Sequence, residues 1–73
     1  MDIRHYNEWV KIGLNILHYR KEQRLTQQQL ADACGDEGIS RNYIQRIETA
    51  ASSCSLDTLI EIAKALNVPL YKL

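Results

Sequence analysis

Thr26, Ser40 and Ser55 each stand directly before a run of apolar residues at helical spacing. Each can cap the helix that follows, because a hydroxyl at that position accepts a bond from one of the helix's unpaired amides. This repeated start signal constrains the chain more than any other feature. It divides the sequence from Thr26 onward into short helices joined by tight segments. The first signal is the fullest: in LTQQQL, Thr26 is the cap, Gln29 completes a capping box, and Leu25 and Leu30 have the spacing of a hydrophobic staple. Ser40 opens ISRNYIQRIE, where Ile39 and Ile44 repeat the staple spacing. Ser55 opens SLDTLIEIAKAL, with Asp57 in the first turn, where a negative charge suits the helix dipole.

The remaining elements are helical too. The spacing predicts a first helix from near Asn7 to about Gln23, with Trp9, Ile12, Ile16 and Tyr19 on one face. Gly13 lies on that face, where it lets another helix approach closely. Val10, Leu14 and Leu17 form a second stripe about 100° away, either wrapped by the last helix or turned to another molecule. Gly35 stands where a left-handed cap would end the second helix. In the third helix Ile44 and Ile47 face inward, leaving Arg41, Asn42, Gln45 and Arg46 outside and Tyr43 at the edge. In the fourth, Leu56, Leu59, Ile60, Ala63 and Leu66 form the apolar face, and Asn67 suits the left-handed position that ends it. Pro69 suits the first position of a last short helix, with Leu70 and Leu73 turned inward. One proline, three glycines and no hairpin dipeptide leave no room for a strand reading. The fold class is all-α: a compact bundle of five helices.

With 73 residues the chain is one small domain, residues 1–73, with 1–6 as a candidate flexible N-terminal arm. No apolar run approaches the roughly 20 residues of a membrane span, and no secretory segment is visible, so a cytoplasmic protein is expected. Nine basic and nine acidic residues cancel, a weak argument against nucleic acid, whose strong non-specific binders are usually basic. Cys34 and Cys54 are too few for a disulfide scaffold. With His5 and His18 they show no metal-ligand spacing, so they read as small apolar residues and no metal or cofactor is expected.

Taken in order, IGLNILHYRKEQRLTQQQLA, ISRNYIQRIE and SLDTLIEIAKALNVPLYKL resemble the Cro/lambda-repressor-type, Xre-like, helix-turn-helix DNA-binding domain, over roughly Ile12 to Leu73. The resemblance implies that the second and third helices form the helix-turn-helix, and that the third lies in the major groove with its N-terminal residues at base edges. Arg41, Asn42 and Arg46 are then the base-reading residues, since arginine suits guanine and asparagine suits adenine. Ser40 to Arg46 holds two arginines and no acid, so this face is basic although the total is neutral. Thr26, Gln27, Ser40 and Tyr43 are the expected phosphate contacts. Gln27 also serves the helix terminus or braces the recognition helix, and Tyr43 equally suits the rim of the core. The resemblance further implies a buried structural ion pair between Arg20 and Glu48.

Two features depart from the family. Asp36, Glu37 and Gly38 lengthen the turn, which costs little loop entropy, and Gly38 permits the backbone angle that returns Ile39 to the core. The segment TAASSC after the third helix lacks the glycine and the Lys or Arg often found there. Its backbone amides and the Ser52 and Ser53 hydroxyls are what remains for phosphate.

The expected function is a sequence-specific DNA-binding transcriptional regulator, a repressor by preference, of bacterial, phage or mobile-element type. It would bind double-stranded DNA as a homodimer on a palindromic operator and associate with the nucleoid when bound. Two candidate dimer surfaces are the last helix and the Val10/Leu14/Leu17 stripe. The competing reading is a protein-interaction or antitoxin-like regulatory module that keeps the fold and binds DNA weakly. No nucleophile–base arrangement, paired carboxylates or phosphate loop suggests an enzyme, and no small-molecule pocket is expected.

Overall fold

The computed structural model describes residues 5–35 and 39–73. Residues 1–4 of the expected arm 1–6 and the turn insertion Asp36, Glu37 and Gly38 lie outside them, whereas His5 is the N-cap of the first helix and Tyr6 begins it, so these two are not part of an arm. Four α-helices follow one another: α1 Tyr6–Glu22, α2 Gln27–Ala33, α3 Arg41–Glu48 and α4 Leu56–Ala65. The expected fifth helix is instead a single 3-10 turn, Leu70–Lys72. Pro69 before it is extended (φ −67, ψ 149), and the bonds run three residues back, from Lys72 N–H to Pro69 O and from Leu73 N–H to Leu70 O. No strand is present among the described residues, and no helix is long and apolar enough to cross a membrane.

The hydroxyl caps explain where α2, α3 and α4 begin. Thr26 accepts from the Gln29 amide, and the Gln29 side chain accepts from the Thr26 amide, so both halves of the capping box are made. Ser40 accepts from Tyr43 N–H at 3.1 Å and Ser55 from Thr58 N–H at 3.1 Å. Each such cap stabilises its helix by about 1 kcal/mol, which matters most for α2, a helix of seven residues. Helix ends follow the expectation at Asn67, which is left-handed (φ 56), but not at Gly35. The chain leaves α2 through Cys34 in extended conformation (φ −74, ψ 133), which keeps the Cys34 side chain buried.

Every helix contributes to one core. Ile16, Leu30, Ile44, Ile47, Ile62 and Leu66 are fully buried, with Ala31, Cys34 and Ile39 beside them. Ile12 and Tyr19 pack against its edge as the α1 stripe requires. Leu56 does not join it and is 62% exposed. The buried arc of α4 runs through Thr58, Ile62, Ala63 and Leu66, and Leu56 stands at its edge, in the first turn of the helix. Leu70, expected to face inward, is exposed, while Leu73 is half-buried on the core and its carbonyl accepts from the Asn15 side chain. The second stripe of α1 is not closed over: Leu14 is 55% exposed, between half-buried Val10 and Leu17.

Candidate nucleic-acid interface

The outer face of α3 is defined by what its inner face buries. Ile44 and Ile47 have no exposed surface, and the Ser40 cap fixes where the helix starts. With the inner side pinned at positions three apart, Arg41, Asn42, Gln45 and Arg46 are all exposed on the other side. No acidic residue stands in the first turn of α3 and its one carboxylate, Glu48, is buried, so two guanidinium groups meet solvent without an exposed counter-charge on the helix. Tyr43 is half-buried and packs on the core rim, so only part of its side chain remains for a ligand. Ser40 is exposed, with one lone pair of its hydroxyl engaged by the cap.

The C-terminal end of α3 is held by a buried polar cluster. Arg20 donates from Nε to Glu48 Oε2 at 2.6 Å and from Nη2 to Glu48 Oε1 at 3.1 Å. Its third nitrogen, Nη1, donates to Leu25 O at 2.8 Å, just before α2. Gln27, the first residue of α2, donates from Nε2 to Glu48 Oε1 at 3.1 Å. One carboxylate thus joins α1, α2 and α3, and among the described residues no buried side-chain polar atom lacks a partner. Thr26 is exposed at the start of α2, with its hydroxyl already accepting from Gln29.

Gly13 supplies the backbone side of the same junction. A side-chain carbon there would stand 2.5 Å from Ile47 O and 2.6 Å from Glu48 O, so the backbone of α1 lies against the last carbonyls of α3. The sequence signalled a close approach at Gly13 but not its partner.

The loop after α3 is less available than its composition suggests. The amides of Thr49, Ala50, Ala51 and Ser52 all turn back onto carbonyls of α3: Gln45 O, Ile47 O, and Arg46 O twice. Ala50 takes a left-handed conformation (φ 60) to do so. These four donors are therefore not free for phosphate, which narrows the expectation for this loop to the amides of Ser53 and Cys54 and the hydroxyls of Ser52 and Ser53. Cys54 beyond them is half-buried, and burial pushes its thiol up from 9.0 to about 11, so it stays protonated at neutral pH. Cys54 is a free thiol, Cys34 is buried, and no cluster of metal-ligating side chains occurs among the described residues.

Comparison with known proteins places the chain among helix-turn-helix proteins. Residues 16–73 match the family described as helix-turn-helix. The chain is 41% identical over 59 residues to the control protein C.SmaI of Serratia marcescens, a match spanning 81% of this chain and 67% of that protein. It also superposes on the crystal structure of the restriction-modification controller protein C.AhdI from Aeromonas hydrophila. That match has a TM-score of 0.84 and 28% identity, and covers 99% of this chain and 97% of the other.

Proposed function

The chain belongs to the Xre-like helix-turn-helix family of DNA-binding transcriptional regulators, and from that premise we propose that it is a controller protein for restriction-modification genes. In this reading it acts in the cytoplasm as a homodimer on a palindromic operator, with repression as its primary output. The carrying observation is the exposed row Arg41, Asn42 and Arg46 on a helix whose opposite face is buried and whose end is locked by Glu48. Such a helix presents base-reading side chains from a rigid support, as major-groove recognition requires. Arg41 and Arg46 suit guanine and Asn42 suits adenine. Thr26, Gln27, Ser40 and Tyr43 serve the phosphates on either side. The exposed apolar side chains of the C-terminal turn, Leu70 and Tyr71, and the open Leu14 stripe supply apolar surface for a second copy.

The test is selection of bound duplexes from a random pool, followed by affinity measurement. A recovered palindrome whose binding is lost in Arg41→Ala/Asn42→Ala supports the reading. Flat recovery at low salt would sink it and favour the protein-interaction module instead. Analytical ultracentrifugation of free and bound protein reports whether two copies occupy each palindrome.

A further inference from the structure

We infer that Gly13 is a positioning residue for base recognition: the missing side chain of α1 sets the pose of α3 and so the reach of Arg41, Asn42 and Arg46. This inference rests on the reading of α3 as the base-reading helix. Its basis is the junction at the far end of that helix. A methyl group on Gly13 would stand 2.5 Å from Ile47 O and 2.6 Å from Glu48 O, about 1 Å inside ordinary contact. Both obstacles are backbone atoms, so no side-chain rotation relieves the clash. One helix end has to retreat.

The chain connection decides which end that is. Arg20 ties both α3, through Glu48, and the start of α2, through Leu25 O, to α1, but α2 is also joined to α1 directly through residues 23–26 and follows it. Residual displacement falls on α3, which pivots about Ile44, fully buried near its middle. Arg41 lies seven residues from Glu48, about 10 Å along the axis. A shift of about 1 Å at the C-terminal end is therefore returned, in the opposite sense, at the N-terminal end, where bases are read. Hydrogen bonds to base edges weaken steeply with misalignment, whereas ionic attraction to phosphate does not. Gly13 thus governs discrimination between sequences more than affinity for DNA as such.

The experiment compares wild type with Gly13→Ala on the selected operator duplex and on a scrambled duplex of equal length. Affinities are corrected for the folded fraction from circular dichroism. The expected result is a loss of about ten-fold or more in the ratio of operator to scrambled affinity, the scale of one spoiled bidentate base contact. Binding to the scrambled duplex stays within about two-fold, because its phosphate contacts are kept. A role in stability alone would lower both affinities together and leave the corrected ratio unchanged, which overturns the inference. If Gly13→Ala unfolds in plain buffer, both proteins are measured in trimethylamine N-oxide, which favours compact states. Failure to fold even there also overturns it, because Gly13 would then be a requirement of the fold and not of the helix's pose. A wild type that does not discriminate the two duplexes would instead refute the base-reading role of α3 itself.

Discussion

Arg20 holds Glu48 through two parallel bonds, at 2.6 and 3.1 Å, across 28 residues of sequence and with both side chains nearly out of solvent. Every further donor on this cluster has an address: Arg20 Nη1 on Leu25 O and Gln27 Nε2 on Glu48 Oε1. The pair therefore fixes three helices relative to one another, while its net contribution is limited by the cost of taking both charges out of water.

Arg20→Ala leaves Glu48 buried and charged with only a neutral amide beside it. Removing one partner of such a pair costs ~3–5 kcal/mol. A chain of this length has about 4–11 kcal/mol of stability in total, so the variant should lose a large part of it and unfold at a much lower urea concentration than wild type. Urea denaturation followed by far-ultraviolet circular dichroism measures this. A fully folded Arg20→Ala that loses only DNA affinity would assign Arg20 to the interface instead.

Arg24 and Ala50 have the same unusual backbone, with φ of 59 and 60, but opposite surroundings. Arg24 is exposed, so Arg24→Gly relieves the left-handed strain and removes no packing. The gain is about 0.5 kcal/mol, once the added freedom of a glycine in the unfolded chain is set against the relief. Ala50 is buried at 4% exposure, and Ala50→Gly loses a packed methyl group worth about 0.8 kcal/mol. That loss offsets the relief, and the expected change is near zero. The urea midpoints of the two variants, at unchanged slope, separate these outcomes. A gain at position 50 matching that at 24 would mean the Ala50 methyl contributes nothing.

Burial of the Cys54 thiol disfavours its thiolate and pushes it up to about 11. An acid raised in the folded state stabilises the fold fully below its unfolded value near 9 and loses that contribution as pH climbs toward 11. Wild type should therefore lose stability between pH 9 and 11 more steeply than Cys54→Ala, in which other alkaline titrations persist. At pH 8 the same shift makes Cys54 alkylate far more slowly than a cysteine in unfolded chain. Parallel stability curves for the two proteins, with fast alkylation, would show that Cys54 is not held in an apolar setting.

The helix starts were legible in the sequence because a cap is a local device: Thr26, Ser40 and Ser55 each bond an amide three residues on. The core was legible where periodicity and tertiary direction agree, as at Ile16, Ile44 and Ile47. Leu56 shows where they part. Its spacing matches Leu59, Ile60 and the buried Ala63, but the inward arc is centred on Ile62 and Leu66, which leaves Leu56 at its edge in the first turn and takes in Thr58 instead. Gly35 misled for a related reason, since a glycine after a helix permits a left-handed turn without requiring one. At the proposed DNA-binding surface the outward row of α3 was readable from the inward isoleucines. The committed amides of residues 49–52 were not, because Thr49 to Ser52 carries no glycine to announce a left-handed turn, and the chain makes it at Ala50.

Those committed amides bear on how binding responds to salt. Each phosphate neutralised by a cation contributes close to one to the slope of log affinity against log salt, and neutral donors contribute little. With four loop amides turned onto α3, and no Lys or Arg between Thr49 and Cys54, Arg41 and Arg46 are the cations that this face would bring to DNA in the proposed docking. The wild-type slope should accordingly be shallow. Arg46→Ala should flatten it by up to about one per protomer, to the extent that the guanidinium sits among phosphates while reading a base. Asn42→Ala should leave the slope unchanged and instead relax preference at one base pair of each half-site, at about 1–3 kcal/mol. Fluorescence anisotropy of a labelled operator, titrated from low to moderate salt, gives both quantities. A steep slope that survives Arg41→Ala and Arg46→Ala would move the electrostatic footprint off α3 altogether, to the lysines of α1 and α4.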